Sequence, residues 1–178
     1  MKKDIIITLL IIMLVAVFVL ATDFKSVEEY YLENAENVKP GDATVLLSIR
    51  CDTILDNMEK LDPALISFVP SDGTVLAEKE YVLREGDTVF DILTRAVKTN
   101  RIQLEYSGSP QTKTVYIEGI ANIYEFSCGS LSGWTYLVNG ERPREGASAY
   151  EPKDGDRIEW LYTCELSEDI LNGGANGE

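Results

Sequence analysis

The stretch Ser132–Cys164, SGWTYLVNGERPREGASAYEPKDGDRIEWLYTC, contains both tryptophans of the chain. It also contains two runs with strand periodicity. In the first, alternation puts Trp134, Tyr136 and Val138 on one face; in the second it puts Ile158, Trp160 and Tyr162 on one face. Asp154-Gly155 between them has the composition of a tight turn, and Asp156 starts the second run. Aromatic side chains bury large areas, so a small domain uses them as core. Trp160 and Ile158 lie mid-strand and read that way. Trp134 and Tyr136 directly follow CGSLSG, a Gly/Ser loop. A tryptophan at a strand mouth beside small residues also suits a ligand platform, so for these two residues core and site are both open readings.

Working outward, ATVLLSIRC (43–51) is a strand with Val45, Leu47, Ile49 and Cys51 on one face. TILDNMEKL (53–61) reads as a short helix with Ile54, Met58 and Leu61 on one side. PSDGT (70–74) is a turn whose Gly73 suits a positive φ, and EKEYVLREGD (78–87) reads as a second strand. The clearest helix is DTVFDILTRAVKTN (87–100), with the apolar stripe Val89, Ile92, Leu93, Ala96 and Val97. Thr88 and Asp91 stand at capping-box spacing, with Asp in place of the usual Glu. Asn100 is placed to end this helix in the left-handed region. IQLEYS (102–107) and TVYIEGI (114–120) follow as short strands. The whole is an α+β arrangement, a mixed sheet covered by one main helix. Pairing of the first strand with the last makes it β-grasp-like.

Ahead of this domain, Lys2 and Lys3 precede the uncharged run Ile5–Ala21. That is a positive region followed by an apolar one, the pattern of a signal peptide. The run also approaches the ~17–25 residues of a membrane helix. Residues 1–21 therefore read as an N-terminal hydrophobic helix, either a cleaved signal peptide or a single-pass anchor. In both cases the remainder faces the exterior, at the cell membrane or secreted. Residues 22–42 read as an acidic stalk ended by Pro40-Gly41, residues 43–166 as the folded domain, and residues 167–178 as a disordered Gly/Asn-rich tail.

The net charge of −14 argues against nucleic acid as a partner, because phosphate binding needs clustered Lys and Arg. The chain has no histidine. That removes His-based nucleophile pairs and His-based metal sites, and no EF-hand spacing is present. Nothing marks a pair of carboxylates for acid/base work. The expectation is a non-enzyme with no metal and no bound cofactor.

GDTVFDIL (86–93), VYIEGIANIYEFSCGSLSGWTYLVNG (115–140) and YEPKDGDRIEWLYT (150–163) together resemble the transcobalamin-like C-terminal domain family of bacterial surface proteins. The resemblance runs from about Ala43 to Cys164. It implies a β-grasp-like fold and kinship with the small domain that closes over cobalamin in vertebrate carriers. In those carriers a helical barrel supplies the other half of the site, and this chain has no counterpart of it. The positions matching the contacting region are Tyr116, Ser132, Gly133, Trp134 and Tyr136. The function implied is a surface-held or secreted binding module for a corrinoid or cobalamin-like small ligand. The alternative is a structural or protein-interaction module of the cell envelope with no small ligand.

Three cysteines allow one intramolecular bridge at most. Cys51 and Cys164 each continue the apolar parity of a strand. Were those strands parallel neighbours, the two sulfurs would come to the same face, so a Cys51–Cys164 bridge is expected, with Cys128 left in its loop. Its rivals are a Cys128–Cys164 bridge and three reduced thiols.

Overall fold

The computed structural model describes Met13 and residues 38–165. Contacts divide the chain between Asn34 and Ala35, and all that follows concerns the C-terminal unit. The expected N-terminal helix, most of the stalk and the tail lie outside the described residues. Among the described residues, no helix is long and apolar enough to cross a membrane.

Among the described residues of this unit, the architecture is a mixed α+β fold of two sheets and one α-helix. The strands are β1 (Thr44–Arg50), β2 (Thr74–Val82), β3 (Leu104–Ser107), β4 (Tyr116–Ile120), β5 (Ile123–Tyr124), β6 (Gly133–Val138) and β7 (Arg157–Thr163), with α1 (Val89–Thr99) between β2 and β3. A four-stranded sheet has the order β2-β1-β7-β6, and a three-stranded sheet the order β3-β4-β5. The first and last strands are parallel neighbours, while β2 and β6 pair antiparallel on the outer sides.

The period-two pattern sets this register. Val45, Leu47 and Ile49 of β1 are buried, as are Ile158, Trp160 and Tyr162 of β7 and Trp134, Tyr136 and Val138 of β6. Pairing aligns them in rows across three strands. Leu47 faces Ile158 and Ile158 faces Val138; Ile49 faces Trp160 and Trp160 faces Tyr136. A slip of one residue would turn every one of these side chains to the opposite face. The Asp154-Gly155 turn fixes the end of the ladder. Gly155 has φ +82 and its N–H donates to the Thr44 carbonyl, while Asp154 Oδ1 accepts from the Thr44 N–H at 2.8 Å.

Helix α1 buries Val89, Phe90, Ile92, Leu93, Ala96 and Val97 in the core shared with both sheets. Its capping box forms in full. Thr88 Oγ1 accepts from the Asp91 N–H at 3.3 Å, and Asp91 Oδ2 accepts from the Thr88 N–H at 2.9 Å. The buried face also carries Arg95. Its guanidinium makes a two-pronged bond to Asp87 at 2.7 and 2.8 Å and donates to the Val82 carbonyl at 2.8 Å. This pair joins the helix to the end of β2.

Several sequence expectations are corrected. Asn100 keeps φ −95, because its side-chain amide caps the Ala96 carbonyl at 2.7 Å; the left-handed residue is Arg101, at φ +56. The helix over 53–61 is a 3-10 helix, Asp52–Asn57, and an unexpected second one covers Pro63–Phe68. The second strand begins at Thr74, directly after the Gly73 turn. The strands after α1 do not all join one sheet. Arg101, Ala121 and Asn122 adopt positive φ, and the two tight reversals they make fold β3, β4 and β5 into a sheet of their own.

Removing one partner of a buried ion pair leaves an uncompensated charge. Asp87→Ala is therefore expected to cost about 3–5 kcal/mol in urea unfolding, whereas Asp87→Leu with Arg95→Met recovers most of it. Equal losses in the single and double variants would show that packing, not the charge, is what Asp87 contributes.

Candidate functional site

A cleft of about 270 Å³ opens between β4, β6 and the loop that follows β6. Tyr116 and Ile117 line it from β4, Trp134, Thr135 and Tyr136 from β6, and Trp160 from β7. The loop supplies Arg142, Pro143, Arg144 and Glu145.

The loop's position follows from local chemistry. Asn139 and Gly140 both have positive φ, giving a two-residue turn in which the Val138 and Glu141 N–H and C=O groups bond reciprocally. The chain then leaves the sheet and crosses the N-terminus of α1. There the helix has N–H groups with no partner of its own. Val89 N–H donates to the Tyr150 carbonyl at 3.0 Å and Phe90 N–H to the Ala147 carbonyl at 2.9 Å. On the sheet side, the Tyr136 hydroxyl donates to the Glu145 carbonyl at 2.7 Å. Suspended at both ends, the segment presents Arg142 and Arg144, both exposed, at the rim.

Tyr116, Trp134 and Tyr136 come together here; Ser132 and Gly133 do not. The Ser132 hydroxyl is buried beside the cleft, accepting from the Cys128 N–H and the Tyr162 hydroxyl and donating to the Gly129 carbonyl. Gly133 is not required by space, since a Cβ there would meet nothing closer than Glu125 Cβ at 3.8 Å. Tyr116 is half exposed, and its hydroxyl donates to Glu125 Oε2 at 2.5 Å.

Trp134 is not at an open rim, as its place after Gly133 suggested. It is 8 % exposed, donates its indole N–H to the Ile123 carbonyl at 2.8 Å, and packs edge-on against Tyr162 at 5.3 Å between centroids. The neighbouring β5 covers it. Trp160 is also buried and stacks at 5.4 Å on Tyr136. Among the described residues, its Nε1 is the one buried side-chain polar atom without a hydrogen-bond acceptor. The donor with capacity to spare thus belongs to the mid-strand tryptophan, not to the one at the strand mouth. Sequence reasoning missed Arg142, Arg144 and Trp160 as cleft residues. RPR (142–144) between the strands is a visible signal for the arginines, but nothing local marks the indole.

The sulfur beside Cys164 is not that of Cys51. All three cysteines are buried thiols, and Cys164 Sγ lies 3.2 Å from Cys128 Sγ. In the β1–β7 register Arg50 faces Leu161, so Cys51 and Cys164 share parity but not level.

A family profile described as "Domain of unknown function (DUF4430)" matches residues 86–163. No curated protein matches the chain. Among solved structures, the chain is similar to haptocorrin, crystallised in complex with Cbi. The identity is 16 % and the TM-score 0.48, over 72 % of this chain and 27 % of that one. The chain thus spans about a quarter of the length of haptocorrin. It is also similar to a proposed metal binding protein from Ruminococcus gnavus ATCC 29149, at 12 % identity and a TM-score of 0.38, over 68 % of this chain and 97 % of that one.

Two outcomes follow from this packing. Trp134→Ala is expected to cost about 3–5 kcal/mol of stability by urea titration, as for a core residue; a near-neutral effect would restore the exposed-platform reading. Burial pushes the phenols of Tyr136 and Tyr162 up to about 12, and the Glu125 carboxylate does the same for Tyr116. The folded state holds these protons while the unfolded chain releases them near ~10. The stability they contribute is therefore complete below pH ~10 and is lost as pH rises toward 12. Phenolate absorbance should show a group of tyrosines that ionises only together with unfolding. Ionisation of every tyrosine near ~10 in the folded protein would contradict this.

Proposed function

We propose that this chain is a non-enzymatic binding module that takes a small ligand of the corrinoid type in the cleft beneath Arg142 and Arg144. The observation that carries the reading is the lining of the cleft, where the aromatic side chains of Tyr116, Trp134, Tyr136 and Trp160 stand beneath the exposed Arg142 and Arg144. This chemistry suits a flat apolar body edged with acceptors: Tyr116, Trp134 and Tyr136 offer ring surface, and Arg142 and Arg144 offer donors at the rim. A corrinoid, with its ring and peripheral amide groups, has that form. The sequence resemblance to the transcobalamin-like family points the same way, and the parallel β1–β7 pair beside a single long helix supports a β-grasp-like fold.

The cleft volume lies just under the ~300–1,000 Å³ of pockets that enclose a ligand. It therefore covers one edge of a corrinoid, and affinity should be modest, with Kd no better than about 1 μM. Titrating the protein with cobalamin while following tryptophan fluorescence, corrected for ligand absorbance, tests this. Arg142→Ala with Arg144→Ala should weaken a saturable signal at least several-fold without shifting the unfolding midpoint. The absence of any saturable change up to ~1 mM cobalamin, with the protein folded, would remove the corrinoid reading.

The run Ile5–Ala21 behind Lys2 and Lys3 supports placement of this module outside the membrane, held by an anchor or released by cleavage. Protease added to intact cells should then cut the stalk between Glu28 and Lys39; protection until lysis would reverse the orientation. A second reading, docking to an envelope protein, is favoured by Phe126 and Leu131, which are 63 % and 51 % exposed on one loop.

A further inference from the structure

Cys128 lies in the loop between β5 and β6, and Cys164 directly follows β7. Their Sγ atoms are 3.2 Å apart, with the Cys164 thiol donating to the Cys128 sulfur. A disulfide has an S–S distance of ~2.05 Å, so closure requires a sulfur movement of about 1 Å. Both residues are held from behind. The Cys128 N–H donates to Ser132 Oγ at 3.0 Å and its thiol to the Asn57 carbonyl at 3.5 Å, while the Cys164 thiol lies 3.9 Å from Thr53 Oγ1. The two cysteines also line a second cavity, of about 350 Å³, walled by Gly129, Ser130 and Leu131. Gly129 has open space around it and Leu131 is half exposed, so this wall is thin. The Lys60–Glu165 ion pair, at 3.1 Å, stands on the same cavity.

Cys51 stands elsewhere. It is as fully buried as Cys128, but it ends β1, where the β1–β7 register leaves it out of level with Cys164. Burial, helped by Asp52 and Asp72, pushes its thiol up to about 12.

We propose that Cys128 and Cys164 form a redox-active pair that closes to a disulfide on meeting a small or protein-borne disulfide donor, R–S–S–R. One of the two thiols gives up its proton and attacks the donor, forming a mixed disulfide and releasing the first R–SH. The second thiolate then attacks the protein sulfur of that mixed disulfide, forming the Cys128–Cys164 bond and releasing the second R–SH. Two protein thiols are oxidised, the donor disulfide is reduced, and both protons leave on R–SH. The ring so closed contains β6 and β7, the two strands that form the floor of the cleft, and ties the loop of Ser132 to the end of the last strand.

The test is to incubate the folded full chain with oxidised glutathione and to map the products by mass spectrometry. Expected are the loss of two hydrogens, a linked peptide joining Cys128 to Cys164, and a Cys51 that alkylates only after denaturation. Reduction of that product should lower the thermal midpoint by about 10 °C, the size expected for a ring of this length. Cys51→Ser should retain closure. Cys128→Ser should stop at a glutathione adduct on Cys164. Should the serine variants fail to fold, the wild-type map decides alone: a bridge involving Cys51, stable glutathione adducts without closure, or three thiols unchanged by oxidant would each overturn the assignment.

Discussion

The structure depends on the double register of β7. This strand lies between β1, to which it runs parallel, and β6, to which it runs antiparallel, so each inward side chain has a neighbour on both sides. Trp160 therefore stands between Ile49 and Tyr136, and Ile158 between Leu47 and Val138. Burial of side chains this large contributes on the order of 2–3 kcal/mol each, and all of it is tied to one alignment. The Asp154-Gly155 turn holds the same alignment at its start, and Tyr162 holds it near its end, its hydroxyl lying within hydrogen-bond distance of the Tyr124 carbonyl and of Ser132 Oγ. Helix, second sheet, cleft and cysteine pair are all positioned relative to this strand.

The cleft arises where that regularity is interrupted. After Asn139-Gly140 the chain could have returned at once as a hairpin. Instead it detours across the N-terminus of α1, whose first N–H groups need acceptors, and finds them in Ala147 and Tyr150. The detour leaves space above β6 that Arg142 and Arg144 border without filling. The two tryptophans differ in their donors: Trp134 lies under β5 and finds the Ile123 carbonyl, whereas the Trp160 indole N–H is buried without an acceptor.

The cleft and the loop before β6 thus carry different chemistry. In the cleft, aromatic rings and guanidiniums suit a flat acceptor-bearing ligand. In the loop, Ser132 and the Cys128 N–H tie the backbone down, and the two sulfurs meet there. A cross-link of those sulfurs acts on the floor of the cleft only through β6 and β7, because neither cysteine lines the cleft itself.

What the sequence determined by itself is local. Alternation in β1, β6 and β7, the Thr88–Asp91 capping box, the Gly73 and Gly155 turns and the stripe of α1 were all legible, because each is settled within a few residues by period, capping or φ. Tyr116, Trp134 and Tyr136 could be named as candidates, since a resemblance in motif carries residue positions. Tertiary structure decided the rest. Which of the two open readings held for Trp134 was not legible, because β5, a two-residue strand with no signal of its own, covers it. The separation into two sheets rests on reversals at Arg101 and at Ala121-Asn122; Arg and Ala seldom adopt positive φ and so give no warning, and Asn122 alone carries the usual signal. The partner of Cys164 could not be read from parity, which assigns a face but not a level along the strand. The orphaned indole of Trp160 is equally non-local, because whether a donor is satisfied depends on what the fold brings within about 3 Å of it, and no spacing along the chain records that.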